Sequence, residues 1–376
     1  MKKKEGMDKK RIAFYIGSLG KGGAERVMRN LAEYFYEQGY EVFMVTKLIE
    51  ENEYALNPAI PRIVADITKE EETGKRLGNL VARVKKLRSI WEEIQPDVIV
   101  SFIKKNNLMA LASANPLKIP VIVSVRSAPA RELSGRGVKQ LTFLMFRKAA
   151  GIVLQTTQAK EFFPKSLQKK SIILQNSINR DFIEYLDSHA YDEENGDNHR
   201  VITVGRIDDN KNQKMLAKAF INVAEANSDW TLHFYGDGEG ADKVKSIAND
   251  SKVSDRIFFH GVVDDVPEQM SKADIFVLPS KVEGMPNALI EAMAMGKACI
   301  STDCPCGGPA DIMENNVSGI LIPVDDIKAL EDSLSRLMAD EKLRKELGHE
   351  ASKLRVRLAP DQINNQWKEY IDSIIG

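Results

Sequence analysis

The sequence predicts an α/β protein made of two parallel-sheet domains, and three observations carry that prediction. Short apolar runs rich in β-formers alternate with helical periodicities along the whole chain, a spacing that makes βαβ units rather than hairpins. The 376 residues, 43% of them hydrophobic, are enough for two cores of ordinary size. A polar stretch without periodicity, residues 192–197, falls between the two series of units and reads as part of a hinge spanning 176–200. The expected domains are 1–178 and about 195–358, followed by a closing helix over 361–375.

In the first domain, residues 11–17 read as a strand, 24–38 as a helix ended by Gly39, and 41–46 as the next strand. The connecting loop, Ser18-Leu19-Gly20-Lys21-Gly22-Gly23, has two residues without side chains just before the helix. A phosphate or sugar could approach the backbone N–H groups of Gly22 and Gly23 closely, although a glycine turn by itself reads as readily as a tight turn. The loop is not G-x-G-x-x-G, and no acidic residue stands where a dinucleotide ribose would need one, which disfavours a dinucleotide-dependent oxidoreductase. A helix over 75–94 places Leu77, Leu80, Val81, Val84, Leu87, Trp91 and Ile94 at helical spacing, as a core-facing stripe. Its other face carries Lys75, Arg76, Arg83, Lys85, Lys86 and Arg88, which reads as a solvated back, with attraction to a membrane surface as the sharper alternative.

Further strands are expected at 97–102, 121–125, 152–155 and 172–174. Two loops lie just beyond strand ends, where ligands bind in such sheets. One carries Lys104 and Asn106. The other carries Arg126 and runs into the basic, apolar stretch 131–148. Both are candidate acceptor surfaces.

The second domain opens with a strand at 201–204 and the turn Gly205-Arg206-Ile207-Asp208-Asp209-Asn210-Lys211-Asn212. Arg206 and Lys211 put two cations on one strand-to-helix loop, where they could offset charge growing on a departing diphosphate. Strands at 231–235 and 257–260 follow, with Gly236 and Gly238 in the turn after the first and Val262 beyond the second. His260 reads as structural. Residues 275–278 form a buried parallel strand stopped by Pro279, then a loop carries Glu283 and Gly284, and a helix over 287–295 is closed by Gly296. Strand, polar loop and helix N-terminus make an anion site at the carboxyl end of a sheet. Glu283 and Glu291 stand eight apart, and Glu291 shares a helix face with Asn287. A carboxylate accepts hydrogen bonds from two neighbouring hydroxyls, which suits a ribose or hexose diol.

The run E-G-M-P-N-A-L-I-E-A-M-A-M-G, residues 283–296, resembles the E-x7-E signature of retaining glycosyltransferase family 4. The likeness extends to the opening loop G-G-A-E-R, to G-R-x4-K at 205–211 and to the inter-domain N-x-I-N at 176–179. It departs after the fourth expected strand, where Val125 and Ser127 replace the acidic residue and the Asn of the family's S-E-R-N-x-P. The resemblance implies a GT-B fold, two Rossmann-like domains with parallel sheets facing across a cleft, and a last helix that crosses back onto the first domain. It implies retaining transfer of a hexose or N-acetylhexosamine from a nucleotide-sugar, most simply a UDP-sugar, to a lipid-linked or membrane-associated glycan. Within that scheme Glu283 holds donor hydroxyls, helped by backbone groups of Gly284 and Met285. Glu291 binds the ribose beside Asn287, while the loops at Gly205, Gly236, Gly238 and Val262 surround the nucleoside. Arg206 and Lys211 take the place a metal holds elsewhere. Gly22 and Gly23 approach the donor, and Arg126, Lys104 and Asn106 face the acceptor.

A formal net charge of −1 argues against bulk nucleic-acid binding. Residues 1–10 are charged without the apolar core of a signal peptide, and no run of about 18 apolar residues occurs, so a cytoplasmic protein with peripheral membrane contact is expected. Three cysteines do not make a disulfide framework, and no His or Cys cluster accompanies Cys304 and Cys306 to hold a metal. No D-x-D stands at a strand end, which points to metal independence and no cofactor. A nucleotide-sugar epimerase of the same architecture, or a catalytically silent nucleotide-sugar-binding subunit, remains the alternative.

Overall fold

The computed structural model describes residues 9–68, 72, 75–189 and 198–376. The chain divides into two compact units. The first comprises Met1–Gln155, Ala159–Leu174 and Asn364–Gly376; the second comprises Thr156–Gln158 and Gln175–Ile363. Each is built on a fully parallel sheet, so the fold is the two-Rossmann-domain α/β class that the alternation of elements predicts.

The first sheet has seven strands: β1 (Arg11–Ile16), β2 (Glu41–Thr46), β3 (Arg62–Val64), β4 (Val98–Phe102), β5 (Val121–Ser124), β6 (Gly151–Leu154) and β7 (Ser171–Ile173). Their order is β3-β2-β1-β4-β5-β6-β7. The central strands are buried on both faces, which is why they read as unbroken apolar runs rather than alternating ones. The edge strand β3 has three residues and no such run, and periodicity does not reveal it. The helices that matter below are α1 (Gly23–Glu37), α2 (Arg76–Ile94), α3 (Lys104–Ala114), the single turn α4 (Pro129–Glu132) and α5 (Val138–Phe146). The connections from β3 to β4, β4 to β5 and β5 to β6 all step the same way across the sheet. Right-handed crossovers therefore place α2, α3 and α5 on one face, and α3 packs against both α2 and α5. The C-terminal helix Pro360–Ile375 is held by Tyr34 Oη donating to Asn365 Oδ1 at 2.6 Å and by Trp367, fully buried against Phe102.

One expectation needs correction here. Of the α2 stripe, Leu87, Trp91 and Ile94 are buried, but Leu77, Leu80 and Val81 are exposed, Leu77 by 72%. The reason is length. Nineteen helical residues span about 28 Å, whereas the strands beneath span roughly 17–20 Å, so the first turns of α2 run past the carboxyl edge of the sheet. On the charged side Arg83 pairs with Asp66 at 3.5 Å; the Arg76 side chain lies outside the described residues.

The second sheet has six strands: β8 (Arg200–Val204), β9 (Thr231–Tyr235), β10 (Ile257–Phe259), β11 (Ile275–Leu278), β12 (Ala298–Thr302) and β13 (Ile320–Ile322), in the order β10-β9-β8-β11-β12-β13. The helices Gln213–Ala224 and Ile327–Ala339 bury Leu216, Phe220, Leu330 and Leu334 in its main core beside Trp230. The stretch expected as hinge contains a helix. Arg180–Ser188 is an amphipathic helix with Phe182 buried, so this part of 176–200 is regular structure; residues 192–197 lie outside the described residues. Cys299, Cys304 and Cys306 are free thiols in buried positions. Among the described residues no helix is long and apolar enough to cross a membrane.

Candidate active site

Strand order locates the site. In the second sheet the chain runs outward from β8 through β9 to β10, then returns to the other side of β8 with β11. The order reverses between β8 and β11, and ligands of such sheets bind outside the carboxyl ends of the strands at that reversal. The loops leaving β8 and β11 carry Arg206, Lys211 and Glu283, and the structure brings them together. Lys211 Nζ lies 2.7 Å from Glu283 Oε1, with both side chains mostly buried. The loops are also stitched by two further hydrogen bonds: Lys281 N donates to Asn210 O at 2.7 Å, and the side-chain Asn210 Nδ2 donates to Val282 O at 3.0 Å.

The β8 loop is shaped by Asp208. Its carboxylate accepts from the N–H groups of Asn210 and Lys211 at 2.9 and 2.8 Å and from Arg206 Nε at 2.7 Å. Burial opposes its ionisation, but the Lys211 N–H and the Arg206 guanidinium outweigh that and hold the carboxyl below its usual range. Arg206 leans on Asp208 while 73% of its side chain stays exposed, leaving the cation available to an incoming anion. Gln213 Nε2 donates to Arg206 O at 2.8 Å and fixes the loop from beneath. Asp208, Asn210 and Gln213 are the supporting residues that pattern reading missed; an Asp followed two and three residues on by N–H groups that its side chain can accept was the available signal.

The β11 loop ends at Pro286, and the helix Asn287–Ala294 begins with no side-chain cap on its N–H groups. These uncapped donors point out of the carboxyl end of the sheet, the arrangement that favours an anion. Asn287 accepts from Asn176 Nδ2 at 2.6 Å, so the segment read as hinge contributes a positioning group. Glu291 lies one turn further in, 5% exposed within a buried helix, and Met285 is equally buried. The loop after β12 closes the wall: a Cβ on Gly308 would lie 1.7 Å from Gly284 O, so glycine is the residue that fits. Cys304 sits close to Glu283, and burial, then that carboxylate, push its thiol up to about 12. Cys304 is therefore a neutral packing group.

On the other side of β8, the loop after β9 packs directly on the β8 loop. Gly236 has φ +127°, and a Cβ there would approach Gly205 O to 2.1 Å. Gly236 thus serves loop-on-loop packing. Val262, beyond β10, is 80% exposed. His260 stacks on Tyr235 and lies 2.9 Å from His233 Nδ1, a structural cluster.

In the first sheet the order reverses between β1 and β4. Gly22 is the residue before α1, and the Glu25 carboxylate lies where a Gly22 Cβ would be. Lys104 and Asn106 follow β4. Lys104 Nζ donates to Glu132 O, and Asn106 Nδ2 donates to Phe102 O at 3.0 Å. Arg126 is half-buried, with its guanidinium 4.5 Å from the Phe102 ring, and burial lowers its pKa. These three acceptor candidates are held by the first unit's own framework. Among the described residues no cluster of His, Cys, Asp and Glu could hold a metal ion.

Comparison with known proteins gives the fold and the family. Solved structures place the fold: the chain superimposes on Anabaena HepE in complex with UDP-glucose with a TM-score of 0.78 at 18% identity, covering 96% of this chain and 99% of that one. The class is thus GT-B, two Rossmann-like domains. Residues 187–354 match the family of glycosyl transferases group 1, and residues 21–182 match Glycosyltransferase Family 4. The chain belongs to the group 1 glycosyltransferases. It is 26% identical over 369 residues, 97% of this chain and 99% of its relative, to a Campylobacter jejuni α-1,4-N-acetyl-D-galactosaminyltransferase whose substrate is a diphospho-undecaprenol-linked GalNAc-GalNAc-diNAcBac glycan. It is 33% identical over 143 residues, 37% of this chain and 36% of its relative, to an Escherichia coli UDP-Gal:α-D-GlcNAc-diphosphoundecaprenol α-1,3-galactosyltransferase.

Proposed function

We propose that this glycosyltransferase moves a hexose or N-acetylhexosamine from a UDP-sugar to a lipid-linked glycan, with retention at the anomeric carbon and without a metal, at the cytoplasmic face of a membrane. The observation that carries the reading is the Lys211–Glu283 pair at the carboxyl ends of β8 and β11, beside an uncapped helix N-terminus. A diphosphate placed there meets two cations and a set of backbone donors, which is the demand of a departing nucleoside diphosphate. Glu283 accepts from donor-sugar hydroxyls and, through its ion pair, orients Lys211 toward the phosphate. Glu291 accepts from the ribose diol. The backbones at Gly205, Gly236, Gly238 and Val262 flank the nucleoside, and those of Gly284 and Met285 support the sugar. As the bond from the anomeric carbon to the phosphate oxygen breaks, the acceptor hydroxyl adds to the same face and gives its proton to the departing phosphate. Lys104, Asn106 and Arg126 in the first unit face the acceptor, and Gly22 and Gly23 approach the donor. The relatives' undecaprenol-linked substrates support a lipid-linked acceptor.

Calorimetry with UDP, GDP and ADP in chelator, followed by a panel of sugars on the preferred base, tests the assignment. UDP and one UDP-sugar should bind, and Glu291→Ala should abolish that binding. Failure of all three nucleotides to bind in chelator, with binding restored by a divalent cation, would overturn the metal-free mechanism. A changed sugar on the nucleotide without acceptor would reveal an epimerase, and UDP-sugar binding without transfer to any lipid-linked glycan would reveal a silent subunit.

A further inference from the structure

Past the transfer residues, the carboxyl edge of the second sheet opens into a groove of about 650 Å³ beside β12 and β13. That volume falls within the roughly 300–1,000 Å³ usual for ligand sites. Lys281, two residues before Glu283, borders the groove, together with Asp303 and Pro305 from the loop after β12 and with Asn315, Leu321 and Pro323 around β13. The walls are fixed. Asp303 N donates to Ile322 O at 2.7 Å, and Arg336 Nη1 donates to Asn316 Oδ1 at 3.0 Å. Three of the segments that supply the lining each hold a non-glycine residue at positive φ: Cys306 at +84°, Asn316 at +59° and Asp325 at +60°. Asn and Asp enter that region readily, whereas a cysteine there is strained, and such strain clusters at ligand sites where the surroundings over-determine it. The turn at Cys306 buries the thiol 3.4 Å from Thr156 Oγ1 and leaves Pro305 exposed at the groove.

We infer that this groove binds a neutral saccharide, namely sugars of the acceptor glycan other than the one that receives the transfer. Charge disfavours a polyanion: the lining pairs one cation, Lys281, with one carboxylate, Asp303, and Lys281 Nζ also lies 3.7 Å from Asp325 Oδ1. Strand chemistry disfavours an added peptide. β13 is the edge strand, but its Leu321 N–H already donates to Asn315 Oδ1 at 2.9 Å, so that donor is taken. An ammonium, a carboxylate and a side-chain amide set among two prolines and a leucine suit a pyranose. The polar groups meet vicinal hydroxyls, and the apolar side chains meet the C–H faces of the ring. Asn212, next in sequence to Lys211, donates from Nδ2 to Asp325 Oδ1 at 3.0 Å, and Asp325 in turn faces Lys281, so the groove adjoins the transfer residues. The inference rests on the transferase reading above and gives its acceptor a second subsite.

Saturation-transfer NMR on the full chain tests it, with methyl α-galactoside, methyl α-N-acetylgalactosaminide and the α-linked di- and trisaccharides of each as probes. Affinity should rise about tenfold or more from monosaccharide to trisaccharide as further rings reach the groove. Asp303→Ala with Lys281→Ala should return the trisaccharide to the monosaccharide's affinity. Asp303→Ala by itself should weaken the trisaccharide about tenfold while UDP affinity, read by calorimetry, stays the same. Asp303→Asn, which keeps a hydrogen-bonding side chain, should recover most of that loss. Absence of binding by every probe, affinity independent of chain length, or groove variants that bind like the parent would each overturn the proposal. UDP affinity measured beside the saccharide series separates the two readings. UDP binding without a length effect defeats the groove and leaves the transferase reading; a length effect without UDP binding defeats the transferase reading and leaves a saccharide groove.

Discussion

The two sheets share a topological plan, with a reversal beside the first strand of each, yet they treat the carboxyl edge differently. In the second unit the edge is pre-organised. Two loops are joined by an ion pair and reciprocal hydrogen bonds, and the Asp208 carboxylate holds the Arg206 guanidinium and the Lys211 backbone N–H. In the first unit the candidate residues Lys104, Asn106 and Arg126 are bound to their own framework, while apolar groups on α2 and α5 project into solvent. A small, constant ligand such as a nucleoside diphosphate rewards pre-organisation, because rigid donors lose nothing on binding. A large, amphipathic acceptor rewards a surface instead.

Four measurements would break or sharpen that contrast. The largest effect should come within α2. Leu87→Ala removes a fully buried side chain and should cost about 2–5 kcal/mol in chemical denaturation, whereas Leu77→Ala, at a position 72% exposed, should stay within about 0.5 kcal/mol. Equal costs would mean that the first turns of α2 are packed. Next, Lys211→Ala should reduce turnover by ~100-fold or more, since on the proposed role it loses charge offered to the departing phosphate and it strands Glu283; an unchanged rate removes Lys211 from the mechanism. Gly236→Ala should destabilise the second unit by about 1–3 kcal/mol through strain at positive φ and pressure on Gly205 O, with thermal unfolding as the readout. The smallest effect is in pH. The folded-state pKa of Asp208 lies below its unfolded value, so its contribution is fully present above about pH 5 and disappears as pH falls through the folded value. Asp208→Asn should flatten that part of the acid-stability profile, and an unaltered profile would show that the carboxylate does not organise the loop.

Much of this molecule follows from the sequence alone. Apolar runs such as 275–278 and 298–302 lie in the interior of a parallel sheet and need no partner information to be read as strands. The placement of Glu283, Arg206 and Lys211 on loops leaving β11 and β8 was readable because a short apolar run followed by a polar turn marks a strand end. What stayed hidden is what depends on contacts distant in sequence. β3 has too few residues to declare a period. The segment that begins at Asn176 looks like a linker until Asn176 pairs with Asn287, 111 residues away. The purpose of Gly236 emerges once Gly205 lies against it. Above all, helical spacing reports that one side of α2 is apolar but not how far the sheet extends beneath it. That length mismatch, fixed by packing, decided which leucines form core and which face outward.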